Sequence, residues 1–343
     1  RYCGFITGTR DCMKTKIKVL IIGGAGFIGY FCSRALAKMD NYKITIIDNL
    51  SRGQYDNEFE SLTNLSNTQY IQGDITELRT FTEAGYDFDY IYNFAAVIGV
   101  KNVENNPDKV LYVNSISMLN LFEYAKNLPH LKKILFSSTS EIYSGTLRHS
   151  GIDIPTAEDV HLTIDDISSN RSTYALSKMF GESISHIYGR KYNIPFTIVR
   201  YHNIYGPRMG FAHVIPEMFI KINADSEVLV PSASHTRSFC YIDDAVNMTI
   251  ASVEAEESDG ETFHIGNQNE EIMIRDLVEM ISSVMGKPIT IIEKQATLGS
   301  PTRRVPNVRK INKLIKNDPR VKLYDGLSAT YKWYKNKLHE RWE

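Results

Sequence analysis

The sequence predicts an α/β fold, a Rossmann-type doubly wound parallel sheet followed by a smaller mixed α/β lobe. Three observations carry this. Residues 17–22 form a short β-branched apolar run, as expected of a strand buried on both faces. Gly23, Gly26 and Gly29 come next at GxxGxxG spacing, and residues 27–38 then read as a helix. Apolar strands and helices go on alternating to about residue 201, which implies a sheet covered on both faces. Beyond about residue 205 the rhythm loosens, as expected of a lobe assembled from insertions.

Composition sets limits on function. With 343 residues, 43% of them hydrophobic and 23% charged, the chain can bury a large core and is not disordered. A net charge of −1 without a sustained basic run excludes nucleic acid as the main partner. No apolar stretch approaches the roughly 18 residues of a membrane span. Cys3, Cys12, Cys32 and Cys240 lack the spacing of a metal site or a disulfide framework, so a reducing cytoplasm is expected. Residues 1–12 stand outside the pattern and read as an upstream extension or expression remnant, with Met13 opening the first strand. The predicted division is a dinucleotide-binding domain over 13–204 and a mainly substrate-binding lobe over 205–343, some of whose segments return to the first domain.

The first strand, glycine turn and helix form a phosphate cradle. Glycine supplies the φ values and the close approach, and the helix N-terminus offers free N–H groups. A second strand, 43–47, ends in Asp48, nineteen residues after Gly29, where a carboxylate meets the adenosine ribose hydroxyls. That carboxylate repels a 2′-phosphate and so favours NAD over NADP, although Arg52 stands nearby. Residues 49–68 read as loop with at most a short helix, and 69–72 as a strand leading to Asp74. Asp74 either hydrogen-bonds the adenine amino group or caps the next helix. Strand 89–94 runs into Ala95 and Ala96, two small residues that let a ligand near the backbone. Pro107 opens a helix to residue 126, and strand 133–137 ends in the hydroxyl-rich run Ser137 to Ser140, then Glu141. A long loop over 144–172 is the kind that more often marks function than slack. Helix 173–192, strand 195–201, helix 213–223, strand into helix at 236–243, strand 262–267, helix 274–285, strand 289–293 and helix 325–341 complete the chain.

Tyr174 and Lys178 stand four residues apart, on one helix face. An ammonium near a phenol stabilises the tyrosinate and is expected to lower its pKa, making a base for a hydroxyl that loses hydride from its carbon.

With these motifs on view, the chain resembles the extended short-chain dehydrogenase/reductases, in the branch of nucleotide-sugar epimerases, dehydratases and decarboxylases. The match runs in order from Gly23 to the arginines near 304. The resemblance implies a tightly bound NAD contacted by Gly23, Gly26, Phe27, Ile28, Gly29, Asp48, Asn49, Ser51, Arg52, Asp74, Ile75, Ala95, Ala96, Asn114, Tyr174, Lys178 and Tyr201. It implies catalysis by Thr139, Glu141, Tyr174 and Lys178, and no metal. It implies a nucleotide diphosphate sugar (GDP-, UDP- or dTDP-linked) held by Thr139, Ser140, Asn203, Arg208, Val214, Arg237 and Arg303 or Arg304. Bidentate guanidinium contacts suit a diphosphate. A homodimer through helices 107–126 and 173–192 is implied as well.

The acid Glu141 after Thr139 and Ser140 resembles dehydratases and decarboxylases more than plain 4-epimerases. It is expected to exchange a proton at carbon 5 once carbon 4 is a ketone. His202 departs from the apolar residue decarboxylases carry before Asn203, and Ile22, Asn93, Ser144 and Asn307 depart from the family pattern elsewhere. The expected activity is an NAD-dependent epimerase/dehydratase acting through a 4-keto intermediate. The alternatives are a 4-dehydrogenase releasing its ketone, a UDP-glucuronate-type decarboxylase, a carbonyl reductase using free NAD(P)H without a nucleotide sugar, or a non-catalytic dinucleotide sensor.

Overall fold

The computed structural model describes residues 16–296, 301–315 and 320–340, so the extension read at residues 1–12 lies outside the described residues. Six strands come first: β1 (Ile17–Ile22), β2 (Tyr42–Asp48), β3 (Thr68–Gln72), β4 (Tyr90–Asn93), β5 (Lys133–Thr139) and β6 (Phe196–Tyr201). Eight follow: β7 (Ile204–Tyr205), β8 (Glu227–Pro231), β9 (Thr236–Ser238), β10 (Cys240–Tyr241), β11 (Thr262–Ile265), β12 (Glu271–Met273), β13 (Thr290–Lys294) and β14 (Arg303–Arg304).

The main sheet has seven strands in the order β11-β6-β5-β4-β1-β2-β3, every pair parallel. The chain starts at β1, winds outward to β3, then returns past β1 to β4. Strand order therefore reverses between β1 and β4, the place where such sheets open a crevice at their carboxyl ends.

Alternation along each strand divides the core between two faces. Val19 and Ile21 of β1 join one apolar cluster with the helices Phe27–Ala37 and Ile242–Glu254. Leu20 and Ile22 join the other, with the helices Pro107–Ala125 and Ser172–Tyr192. The first cluster continues into the C-terminal part through Met218, Phe219, Leu277 and Leu327. That part holds three small sheets: β12-β9-β14, β13-β8 and β10-β7.

Two expected elements differ in detail. The last helix spans Leu323–Tyr334 rather than reaching 341. Beyond it, Lys337 N bonds Tyr334 O and Glu340 N bonds Lys337 O, i to i+3 turns in place of the helical ladder. The loop at 144–172 contains a short helix, Ser144–His149. It is stitched to the loop's far side, Thr146 Oγ1 donating to His161 O at 2.9 Å and accepting from Thr163 N at 2.9 Å.

Candidate active site

The glycine turn closes directly on the exit of β4. Gly23 has φ +81°, and a Cβ there would stand 2.7 Å from Ala95 N. A Cβ on Gly29 would stand 2.1 Å from Gly23 O, so the helix can approach the turn only without a side chain. A Cβ on Gly26 would meet only Gly23 O, at 3.3 Å, leaving its outer side open to a phosphate. Asp48 is fixed by the same turn: its carboxylate accepts from Ala25 N at 2.9 Å and Leu50 N at 2.8 Å. Burial pushes its carboxyl up, against those donors. A carboxylate has about four acceptor positions, so room remains for ribose hydroxyls. Asn93 Oδ1 and Ser138 Oγ are buried at the ends of β4 and β5 with no partner among the described residues. Cradle, carboxylate and unpartnered polar atoms together fit a dinucleotide.

Around this cradle the other expected cofactor residues take separate places. Phe27 and Ile28 open the first helix, and Ser51 N bonds Asn49 Oδ1 at 3.0 Å. Asp74 does not cap the next helix, which starts at Leu78 with Glu77 before it; it accepts from Thr76 N at 2.9 Å in the preceding turn, while its other oxygen meets Asn49 Nδ2 at 3.3 Å. Ile75 is buried just after it. Asn114 reaches from the helix Pro107–Ala125 to both polar groups of Val97, just past Ala95 and Ala96, and to Ser177 Oγ at 3.0 Å. It thereby joins the exit of β4 to the helix of Tyr174 and Lys178. The Tyr201 hydroxyl pairs with Thr249 Oγ1 at 2.9 Å, placing that ring against the helix Ile242–Glu254. Arg52 meets His213 Nε2 at 3.2 Å and lines the cleft by Gly26 and Phe27.

The catalytic candidates converge at the carboxyl end of β5. Thr139 hydrogen-bonds the Tyr174 hydroxyl, and its Oγ1 accepts from Glu141 N at 3.2 Å. Lys178 is buried, its Nζ donating to Ser137 O at 2.7 Å and lying 5.9 Å from the Tyr174 ring centre. Burial brings this ammonium down to about 7. One expectation is corrected here: Lys178 does not lower the Tyr174 phenol. Burial and the Glu141 charge push the phenol up to about 12, against the Thr139 hydrogen bond and Arg52. A buried ammonium that itself readily loses its proton is a weak source of field.

The substrate side is built from β9 and β14, which pair so that Arg304 lies beside Arg237. Arg304 Nη1 donates to Glu141 Oε1 at 2.6 Å and lies 3.4 Å from Ser140 Oγ. Its Nε is buried and has no partner among the described residues. This guanidinium holds the Glu141 carboxyl below its usual range, so Glu141 is ionised. Arg237 is brought down to about 10, first by burial and then by Arg304. Arg303 points elsewhere: its Nε and Nη2 grip Glu271 at 2.7 and 2.8 Å on the exposed side. Asn203 has φ +44° and donates to Ser238 O at 2.9 Å. Val214 opens the helix Val214–Ala224. Arg208 lines the cleft beside Gly26, Phe27 and Arg52, bonded to Asp56, 3.7 Å from Glu58 and stacked on Tyr30 at 4.1 Å.

Sequence reasoning passed over a buried polar chain behind the site, formed by Glu182, Arg200, Tyr143 and His264. A charged residue inside the apolar run of β6, and a glutamate one turn after Lys178, were its signals.

The sequence profile of the NAD dependent epimerase/dehydratase family matches residues 19–266. The chain belongs to this family. As a member it is an enzyme that uses NAD. It is 31% identical to the UDP-N-acetyl-alpha-D-glucosaminuronate decarboxylase of Bacillus cytotoxicus over 93% of this chain and 98% of that protein. It is 28% identical to UDP-glucuronic acid decarboxylase 5 of Arabidopsis thaliana, over 92% of this chain and 88% of that one. Among solved structures it is similar to the UDP-glucuronic acid 4-epimerase of Bacillus cereus in complex with UDP-glucuronic acid and NAD. The TM-score is 0.81 and the identity 28%, covering 93% of this chain and 99% of that one. No helix among the described residues is long and apolar enough to cross a membrane.

Proposed function

We propose that this family member decarboxylates a UDP-linked hexuronic acid through its 4-keto form. The observation that carries the reading is the Arg304 guanidinium, bonded to Glu141 near Thr139 and Tyr174 and set beside Arg237 by the pairing of β14 with β9. A second carboxylate, at carbon 6 of the sugar, is the anion such a donor suits. The similarity to two decarboxylases and an epimerase named for uronic acids supports it.

In this mechanism Tyr174, hydrogen-bonded by Thr139, takes the proton of the 4-hydroxyl. Bound NAD supplies the hydride acceptor, and later the donor, at carbon 4. The ketone makes the sugar a β-keto acid. The carbon 5–carbon 6 bond then breaks, carbon dioxide leaves, and the electron pair passes onto the carbon 4 oxygen. Tyr174 and Thr139 stabilise that oxyanion. A proton from solvent arrives at carbon 5, with Glu141 and Arg304 fixing the face from which it comes. Lys178 holds the ribose side of the site.

The test is mass spectrometry of the products from UDP-glucuronic acid and UDP-N-acetylglucosaminuronic acid in deuterated water. Loss of carbon dioxide with one deuterium gained at carbon 5 is expected. Unchanged substrate, or a product lacking only the mass of hydrogen, would overturn the reading. An isobaric product would instead support a UDP-glucuronate 4-epimerase, the second reading, which the likeness to the Bacillus cereus enzyme favours. Arg304→Met is expected to lower turnover roughly a hundredfold, as loss of one charge-stabilising donor does.

We also propose that the protein is a homodimer. Leu111 and Tyr112 on the helix Pro107–Ala125, with Phe180 and Ile187 on Ser172–Tyr192, are large apolar side chains that stay exposed on two helices packed together.

A further inference from the structure

Behind the catalytic groups runs a continuous chain of buried hydrogen bonds that the chemistry above does not use. The Glu182 carboxylate accepts from Arg200 Nε at 2.9 Å and from its Nη2 at 2.7 Å. Arg200 Nη1 donates to the Tyr143 hydroxyl at 2.5 Å and to Glu158 O at 2.7 Å. Tyr143 meets His264 Nε2 at 2.6 Å, and His264 Nδ1 lies 3.2 Å from Asn307 O. A carbonyl can only accept, so Nδ1 carries the imidazole proton and Nε2 accepts from the phenol. From Arg200 Nη1 through Tyr143 and His264 to the Asn307 carbonyl the donors then point one way, an arrangement in which each bond polarises the next. Burial keeps His264 neutral, well below its ordinary pKa, so the direction does not reverse in the working range. His202 lies against both rings, 4.6 Å from His264 and 6.3 Å from Tyr143, but neither of its nitrogens has a partner among the described residues. It packs on the chain and does not extend it.

The elements joined are those that carry the reaction. Glu182 is one turn beyond Lys178 on the helix Ser172–Tyr192. Tyr143 ends the short 3-10 turn Ser140–Tyr143 that carries Glu141. Asn307 follows Arg304 by three residues. Thr156 also holds that last segment, accepting from Asn307 N at 2.7 Å, but reaches neither the turn nor the helix.

We propose that Tyr143 is a positioning residue that locks the Glu141 turn, the Arg304 segment and the Tyr174–Lys178 helix into one register through Arg200 and His264. The proposal rests on the assigned roles of Glu141 and Arg304, and its first test needs no substrate. Hydrogen exchange is followed by mass spectrometry on the NAD-loaded protein. Tyr143→Phe keeps the ring and removes both bonds. It is expected to speed exchange on the order of tenfold at residues 140–144 and also at 303–308, far away in sequence. His264→Gln keeps an acceptor for the phenol but loses the contact with Asn307, so only 303–308 should change. It carries the test if Tyr143→Phe does not fold. Exchange at 303–308 unaltered in either variant overturns the proposal. The second test is catalytic. Misplacing Glu141 and Arg304 should let the ketone escape, so Tyr143→Phe is expected to leave NADH on the enzyme and free 4-keto sugar in a several-fold larger share of turnovers. A variant that only lost stability would lower the amount of active protein and leave that share as it was. If the wild type does not turn over UDP-uronates, the proposed function falls while the exchange result still decides this inference.

Discussion

Tyr174 takes its ionisation from a contest between neighbours. Burial and Glu141 push the phenol up to about 12, and the Thr139 hydrogen bond and Arg52 pull it down. The rate of the first proton transfer rises with the deprotonated fraction of Tyr174. Glu141→Gln removes a negative charge that disfavours the phenolate, so the rising limb of the pH–rate profile should move to lower pH. Stopped-flow appearance of NADH measures this, and a limb that stays or moves upward would contradict the assignment. Tyr174→Phe leaves the packing and removes the base, with an expected loss of about 10²–10⁴ in turnover. Lys178 gives a prediction about stability. Its ordinary value is 10.5 and burial lowers it to about 7 in the fold. Between these values the unfolded chain binds a proton that the folded one does not, so this group's contribution to stability rises with pH. Below about 7 its full cost is present. Lys178→Met should therefore gain most over the wild type near about pH 6 and least near about pH 9 in urea midpoints.

At the scale of elements, the helix Ser172–Tyr192 presses on β5 at Gly181, where an added Cβ would stand 2.3 Å from Phe136 Cζ. Gly181→Ala gains helix propensity but overpacks a buried ring, and should cost about 1–3 kcal/mol in denaturant unfolding. Because Tyr174 and Lys178 ride on this helix, turnover should drop with it. Such elements were legible in the sequence because their signals are local: the glycine triplet, the alternating strands, the Tyr174–Lys178 spacing. Arg303 and Arg304 could not be told apart that way. Adjacent in sequence, they face opposite sides of β14, and only its pairing with β9 shows that Arg304 reaches Glu141 while Arg303 grips Glu271. Arg208 also looked like one more cation of the substrate side. Its partner Asp56 comes from a distant loop, and no spacing rule announces such a pair.

For the whole molecule, the apolar faces of the helices Pro107–Ala125 and Ser172–Tyr192 set the expected assembly. Ile187→Glu puts a charge in the middle of the proposed contact and should convert a dimer to a monomer in sedimentation velocity. A wild type that sediments as a monomer would remove the dimer from the account. A last point concerns β11. This strand closes the cofactor-binding sheet beside β6, yet it is Thr262–Ile265, about sixty residues further along the chain. The cofactor half therefore cannot be cut out as one uninterrupted fragment. Ending a gene after residue 204 would leave β6 as a bare edge inviting pairing with other chains. On the ribosome, too, the sheet stays open until β11 has been synthesised. A permuted gene that brings 262–265 next to the sheet's other pieces is the dissection that respects the topology.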